Sequence, residues 1–168
     1  MDSQPFIVTY LDLAKAFDTI NYNKRFHKLI SYGLRVKILG LIRNYLSDRK
    51  KVIVNETHSS FAEMTIGVPQ GTILGPLLFI IYINDIFNVL PVNSLIFYPD
   101  DTAIIVSEKS WSLARDKMVQ YLDLPYKWLN ANQLSLNLDK TIFITYGAYK
   151  ISISVEINIQ IGNFSLNE

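Results

Sequence analysis

The stretch Ser94-Leu95-Ile96-Phe97-Tyr98-Pro99-Asp100-Asp101-Thr102-Ala103-Ile104-Ile105-Val106 decides how the chain is read. Apolar, β-prone residues stand on both sides of Pro-Asp-Asp, a pattern of strand, tight turn, strand. Pro presets φ and Asp hydrogen-bonds its own backbone, so the tip is good turn chemistry in itself. On one reading the acids are simply solvated at a hairpin tip. On the other, two adjacent carboxylates between otherwise buried strands hold a divalent cation. Hard oxygen donors suit Mg²⁺, which usually takes one or two carboxylates together with substrate phosphates. The second reading requires partners elsewhere in the chain.

Composition sets outer limits. The 168 residues suit one domain with a real core. A formal net charge of +1 provides no basic field of the kind that grips nucleic acid along a groove. If the chain handles nucleic acid, much of the binding surface comes from elsewhere. The absence of cysteine excludes a disulfide framework and any thiolate metal site. Met1-Asp2-Ser3-Gln4-Pro5 has neither the basic nor the apolar region of a signal peptide. The expectation is an intracellular protein, nuclear or cytoplasmic, with no membrane partner.

Outward from the hairpin, Phe6 to Leu11 is a β-rich run that ends at Asp12. Asn21 to Tyr32 reads as a helix with Phe26, Leu29 and Ile30 on one face and Gly33 as its stop. Val36, Ile38, Leu39, Ile42, Tyr45 and Leu46 define a second helix. Lys51–Val54 and Phe61–Met64 read as strands joined by a polar loop, Asn55 to Ser60. From Thr72 to Leu90 the chain predicts a helix apolar nearly all round, hence a central core helix too short in its apolar run to span a bilayer. Ser110 caps a long amphipathic helix carrying Trp111, Ala114, Met118, Tyr121, Trp128 and Leu129 on one face, with Pro125 expected to kink it. Thr141–Tyr146 is a strand, and Ile151 to Ile161 alternates as a half-buried strand does. This order predicts an α+β domain with helices packed on one face of an antiparallel sheet.

Four motifs then fall in order: Tyr10-Leu11-Asp12-Leu13-Ala14-Lys15-Ala16-Phe17-Asp18, Gly67-Val68-Pro69-Gln70-Gly71-Thr72-Ile73-Leu74-Gly75-Pro76-Leu77-Leu78-Phe79, Phe97-Tyr98-Pro99-Asp100-Asp101-Thr102 and Leu136-Asn137-Leu138-Asp139-Lys140-Thr141. Together they resemble the palm motifs of reverse transcriptases, in particular those of non-LTR, LINE- and jockey-like retrotransposons. The resemblance covers nearly the whole chain and implies a polymerase palm. It implies RNA-directed DNA polymerisation, in which a primer 3′-OH attacks the α-phosphate of a dNTP with two Mg²⁺ (or Mn²⁺) ions. Asp12, Asp100 and Asp101 resemble the metal-binding acids, and the Leu13 carbonyl resembles a further ligand. Phe17 stands where the family has a bulky ring that excludes a ribose 2′-OH. Gln70 and Gly71 resemble the loop that contacts the incoming nucleotide. Lys140 resembles the lysine that protonates the leaving pyrophosphate. The implied partners are an RNA template, a DNA primer and dNTP. The Asp12 and Asp100 carboxylates are expected to face one another, with Phe17 and Gln70 lining the same cleft.

Two departures accompany the resemblance. Pro99 stands in the acidic turn where the family usually has Ala, and its fixed φ requires the tip to be rebuilt. The chain also starts at the first aspartate strand, so residues 1–168 are expected to form one partial domain. The N-terminal fingers and the thumb would then be missing, or supplied by a partner chain. Such a fragment is expected to be inactive alone. Two alternatives stay open: a non-catalytic retroelement remnant or protein-interaction fragment, and a palm-type nucleotidyl cyclase, which would leave Pro69-Gln70-Gly71 unexplained.

Overall fold

The computed structural model describes residues 4–46, 53–60, 66–68, 71–91, 94–97, 101–147 and 159–166. They divide into two units, Met1–Ala14 with Asp85–Glu168, and Lys15–Asn84.

The first unit is built on β1 (Phe6–Ala14), whose alternating side chains give it two different faces. β5 (Asp101–Ser107) lies antiparallel along one edge of β1, from Phe6 opposite Ser107 to Asp12 opposite Asp101. β4 (Leu95–Phe97) continues the sheet beyond β5. On the other edge, β7 (Ile142–Tyr146) pairs with Phe6–Tyr10, and β6 (Ser135–Leu136) pairs with Leu13 and Ala14. The odd face of β1 is the one that packs with α4, although Val8 on the even face is buried too. Ile7 and Leu11 join Ile104, Val106 and Phe143 in a cluster with Ala114, Met118 and Leu122 of α4 (Trp111–Ala131). The Ser110 hydroxyl caps α4 by accepting the Leu113 N–H, as the sequence predicts. α4 runs through the buried Pro125 without ending. β8 (Gln160–Ile161) and β9 (Phe164–Ser165) form a hairpin that adds Ile159, Ile161 and Leu166 to the same cluster. That matches the end of the alternating run; its residues 151–158 lie outside the described ones. The even face carries Phe6 and Tyr146, stacked at 4.8 Å, then Tyr10, then Asp12.

The second unit is helical. α1 (Tyr22–Ser31) starts where the Asn21 side chain accepts the Lys24 N–H and stops before Gly33, at φ +87°. Its buried residues are Arg25 and Leu29, whereas Ile30 is 55% exposed, so the inward face is rotated from the predicted Phe26–Leu29–Ile30 stripe. In α2 (Val36–Leu46) only Leu46 is buried. β2 (Ile53–Val54) and β3 (Thr57–His58) form a hairpin around Asn55 and Glu56, both at positive φ as a type I′ turn demands. The predicted polar loop is therefore turn and returning strand; Phe61–Met64, predicted as the second strand, lies outside the described residues.

α3 (Leu74–Ile83) corrects a larger expectation. It ends at Ile83, and Asn84–Val89 continue as a 3-10 helix. Gly75, Leu78, Phe79, Tyr82 and Ile83 are buried, a stripe at helical spacing, while Leu74, Leu77 and Ile80 on the other side are exposed. The helix is apolar all round but buried on one face only. Within this unit Lys28 of α1 donates to the Tyr82 carbonyl of α3 at 2.7 Å and lies over its ring. Among the described residues no helix is long and apolar enough to cross a membrane.

Candidate active site

Asp12 is placed by backbone on both sides. On the β5 side it is opposite Asp101, the last pair of the ladder. On the other side the chain turns tightly through residues 137–141. The Asn137 N–H donates to the Asp12 carbonyl at 2.8 Å, and the Asp12 N–H donates to the Thr141 hydroxyl at 3.4 Å. That hydroxyl in turn donates to the Asn137 carbonyl at 2.8 Å, which also receives the N–H groups of Lys140 and Thr141. Both backbone polar groups of Asp12 are thus engaged by one turn. Its carboxylate, half-buried, has no hydrogen-bond or ion-pair partner among the described residues. A preorganised, uncommitted carboxylate at a ladder end is suited to a hard cation or a proton.

The register therefore brings together Asp12 and Asp101, with Leu13 beside them opposite Leu136 and Lys140 exposed in the clamping turn. Asp100, Pro99 and Tyr98 lie outside the described residues, so the expected Asp12–Asp100 facing is not among the contacts described. Among the described residues no three acidic, His or Cys side chains gather as a metal site. Thr141 and Asn137, which hold the Asp12 backbone, are not singled out by residue type. Their signal was their place in the Leu136–Thr141 motif, next to Lys140.

Phe17 and the Gly67–Gly71 segment belong to the second unit. The Phe17 ring packs against Phe79 of α3, centroids 4.9 Å apart. The Phe17 carbonyl accepts the Val68 N–H at 2.7 Å, and the Ile20 carbonyl accepts the Gly67 N–H at 2.9 Å. Asn21 and Ile66 form an isolated antiparallel bridge just upstream. Gly67 sits at φ +85°, and a Cβ there would lie 3.1 Å from the Asp18 carbonyl oxygen and 3.2 Å from that of Phe17. Only glycine lets these two backbones approach so closely. Gln70 lies outside the described residues; Gly71, exposed at φ +75°, follows it, and the Thr72 hydroxyl then accepts the Gly75 N–H at 3.2 Å. Sequence reasoning also missed Arg25. It is fully buried, with its guanidinium 5.1 Å from the centre of the Tyr22 ring. Burial lowers its pKa to about 10, a shift partly opposed by Tyr22 and Tyr82.

The fold and the sequence have relatives. The structure superposes on that of apo telomerase from Candida tropicalis with a TM-score of 0.64 at 16% identity, covering 98% of this chain and 34% of that one. In sequence the chain is 30% identical over 145 residues to an RNA-directed DNA polymerase from the mobile element jockey of Drosophila funebris. The match covers 82% of this chain and 16% of the relative. The jockey polymerase of Drosophila melanogaster is 26% identical over 159 residues, covering 87% and 17%. The chain therefore spans about a sixth of the curated relatives it matches. The family described as reverse transcriptase (RNA-dependent DNA polymerase) matches residues 2–158. With the palm-like sheet and the ordered motifs in place, the chain belongs to the reverse transcriptase family.

Proposed function

We propose that this chain is the part of an RNA-directed DNA polymerase in which nucleotidyl transfer takes place. Its substrates would be an RNA template, a DNA primer and dNTP. The observation that carries the reading is the setting of Asp12: paired in register with Asp101, held through both backbone groups by residues 137–141, and free at its carboxylate. Asp12, Asp101 and Asp100 with the Leu13 carbonyl would hold Mg²⁺ or Mn²⁺; carboxylate oxygens at the end of one ladder are the donor type such ions take. When bound, a pair of such ions stabilises both the attacking and the leaving oxygen of an in-line displacement. The protein's own tasks are then positioning and proton supply. Phe17 would present its ring to the sugar of the incoming nucleotide, Gln70 and Gly71 would contact that nucleotide, and Lys140 would deliver a proton to the pyrophosphate.

A chimera tests this, because the chain covers only part of its relatives' length. Residues 2–158 would replace the matching segment of a jockey polymerase, and primer extension on an RNA template would be measured. Extension is expected, and Asp12→Asn should lower it by more than about a hundredfold, the upper range for a residue that merely supports a metal ligand. A folded chimera that extends no primer, or one indifferent to Asp12→Asn, would sink the assignment. The 168-residue chain alone is expected to bind Mg²⁺ weakly and to extend no primer.

A further inference from the structure

We propose that Arg25 is a positioning residue that fixes the stem of the Gly67–Gly71 loop. This rests on the reading of that loop as the nucleotide-contacting one. Arg25 has 0% exposure, and its Nη2 donates to the Gly67 carbonyl at 3.1 Å. Its Nε and Nη1 are buried with no partner among the described residues. Buried polar groups are nearly always satisfied, and a buried cation missing its counter-charge is costly. A leucine or methionine would fill the site without that cost. The aliphatic pattern of α1 even makes such residues available, since Ile30 is left exposed while Arg25 goes inside.

What the cation accomplishes is visible in the backbone around it. The Gly67 N–H is held by Ile20, the Val68 N–H by Phe17, and the Gly67 carbonyl between them, among the described residues, by Arg25. Three consecutive polar groups of the stem are thereby pinned, two by backbone and the middle one by a side chain. The pinned stem leads in sequence straight to Pro69-Gln70-Gly71. Arg25 also springs from α1 only four residues after Asn21, whose bridge to Ile66 fixes the same stem from the other end. Without the guanidinium, the Gly67–Val68 peptide keeps the Val68 N–H bond to Phe17 and loses the bond on its carbonyl side.

Two measurements test this, and only one depends on polymerase activity. In the 168-residue chain, Arg25→Met should accelerate amide hydrogen exchange at Gly67 and Val68 by about tenfold or more, while the Leu29 amide of α1 keeps its protection. In the active chimera, Arg25→Met should raise KM for dNTP by about tenfold with a smaller change in kcat, and Arg25→Lys, which keeps one donor, should recover part of the loss. Unchanged exchange at Gly67 and Val68 would overturn the proposal. So would uniform loss of protection through α1 with no recovery in Arg25→Lys, which would make Arg25 a fold residue only. Accelerated exchange with an unchanged KM would refute its role in nucleotide binding. A parent chimera with no activity would refute the polymerase reading, and the exchange data would still judge the anchor.

Discussion

The two units handle apolar sequence in opposite ways. In the sheet unit, alternation along β1, β5 and β7 sends Ile7, Leu11, Ile104, Val106 and Phe143 into one cluster with α4. In the helical unit, Val36 is 84% exposed, Leu41 70% and Ile73 94%, while a charged residue, Arg25, is fully buried. The difference teaches that hydropathy locates a core only where it varies across an element. β1 carries Ile7 and Leu11 on the face that meets α4 and Phe6, Tyr10 and Asp12 on the other, so its two faces differ. α3 is apolar on every side, so its composition cannot say which side goes inward.

The largest effects should fall where burial is complete in both units. Phe143→Ala removes a ring that is 1% exposed and should cost about 3–5 kcal/mol in chemical denaturation. Leu78→Ala, at 2% exposure, should cost about 2–5 kcal/mol, whereas its neighbour Leu77→Ala, at 50%, should cost less than about 1 kcal/mol. Equal losses at Leu77 and Leu78 would break the comparison, because α3 would then have no preferred face. Gly67→Ala should follow, at about 1–3 kcal/mol, since it combines a left-handed φ with a tight approach to the carbonyls of Phe17 and Asp18. Thermal melts of the purified chain would show it; a loss within the noise of surface changes would mean the stem is not held against residues 17–18.

The smallest effect is electrostatic and lies on the sheet unit. Lys117 and Glu108 form an ion pair, and the hydrogen bond with its charge holds the Glu108 carboxyl below its ordinary range and raises the Lys117 ammonium. A depressed carboxyl contributes stability above its unfolded pKa and loses it as pH falls through the folded value. The raised ammonium acts in the opposite sense, keeping its contribution below the unfolded lysine pKa and losing it as pH rises past it. The Tm difference between the parent and Glu108→Gln should therefore be small at neutral pH, shrink in high salt and vanish once pH falls below the depressed carboxyl's range. A difference that persists below that range would assign the effect to packing instead.

The backbone setting of Asp12 was in part legible in advance. Asp12 at the end of an apolar run and the acids after a strand-like stretch are local patterns, and the ladder from Phe6–Ser107 to Asp12–Asp101 joins them in the order the motifs suggest. Gly67 was visible as part of a motif, although its reason, a Cβ blocked by two carbonyls, was not. Leu136–Thr141 was recognised for Lys140, while the bonds that matter to Asp12 come from Asn137 and Thr141.

By itself the sequence determined the central strands, the Ser110-capped start of α4 and the family, because each rests on runs of β-prone residues, capping chemistry or motif order within a short reach of chain. Only the tertiary structure decided that Thr141, 129 residues away, receives the Asp12 N–H, that Arg25 rather than Ile30 turns inward, and which side of α3 is buried. Those outcomes depend on hydrogen bonds and packing between segments far apart in the chain. A helix with no polar side, or an arginine whose partner is a carbonyl 42 residues on, has no local pattern to announce them.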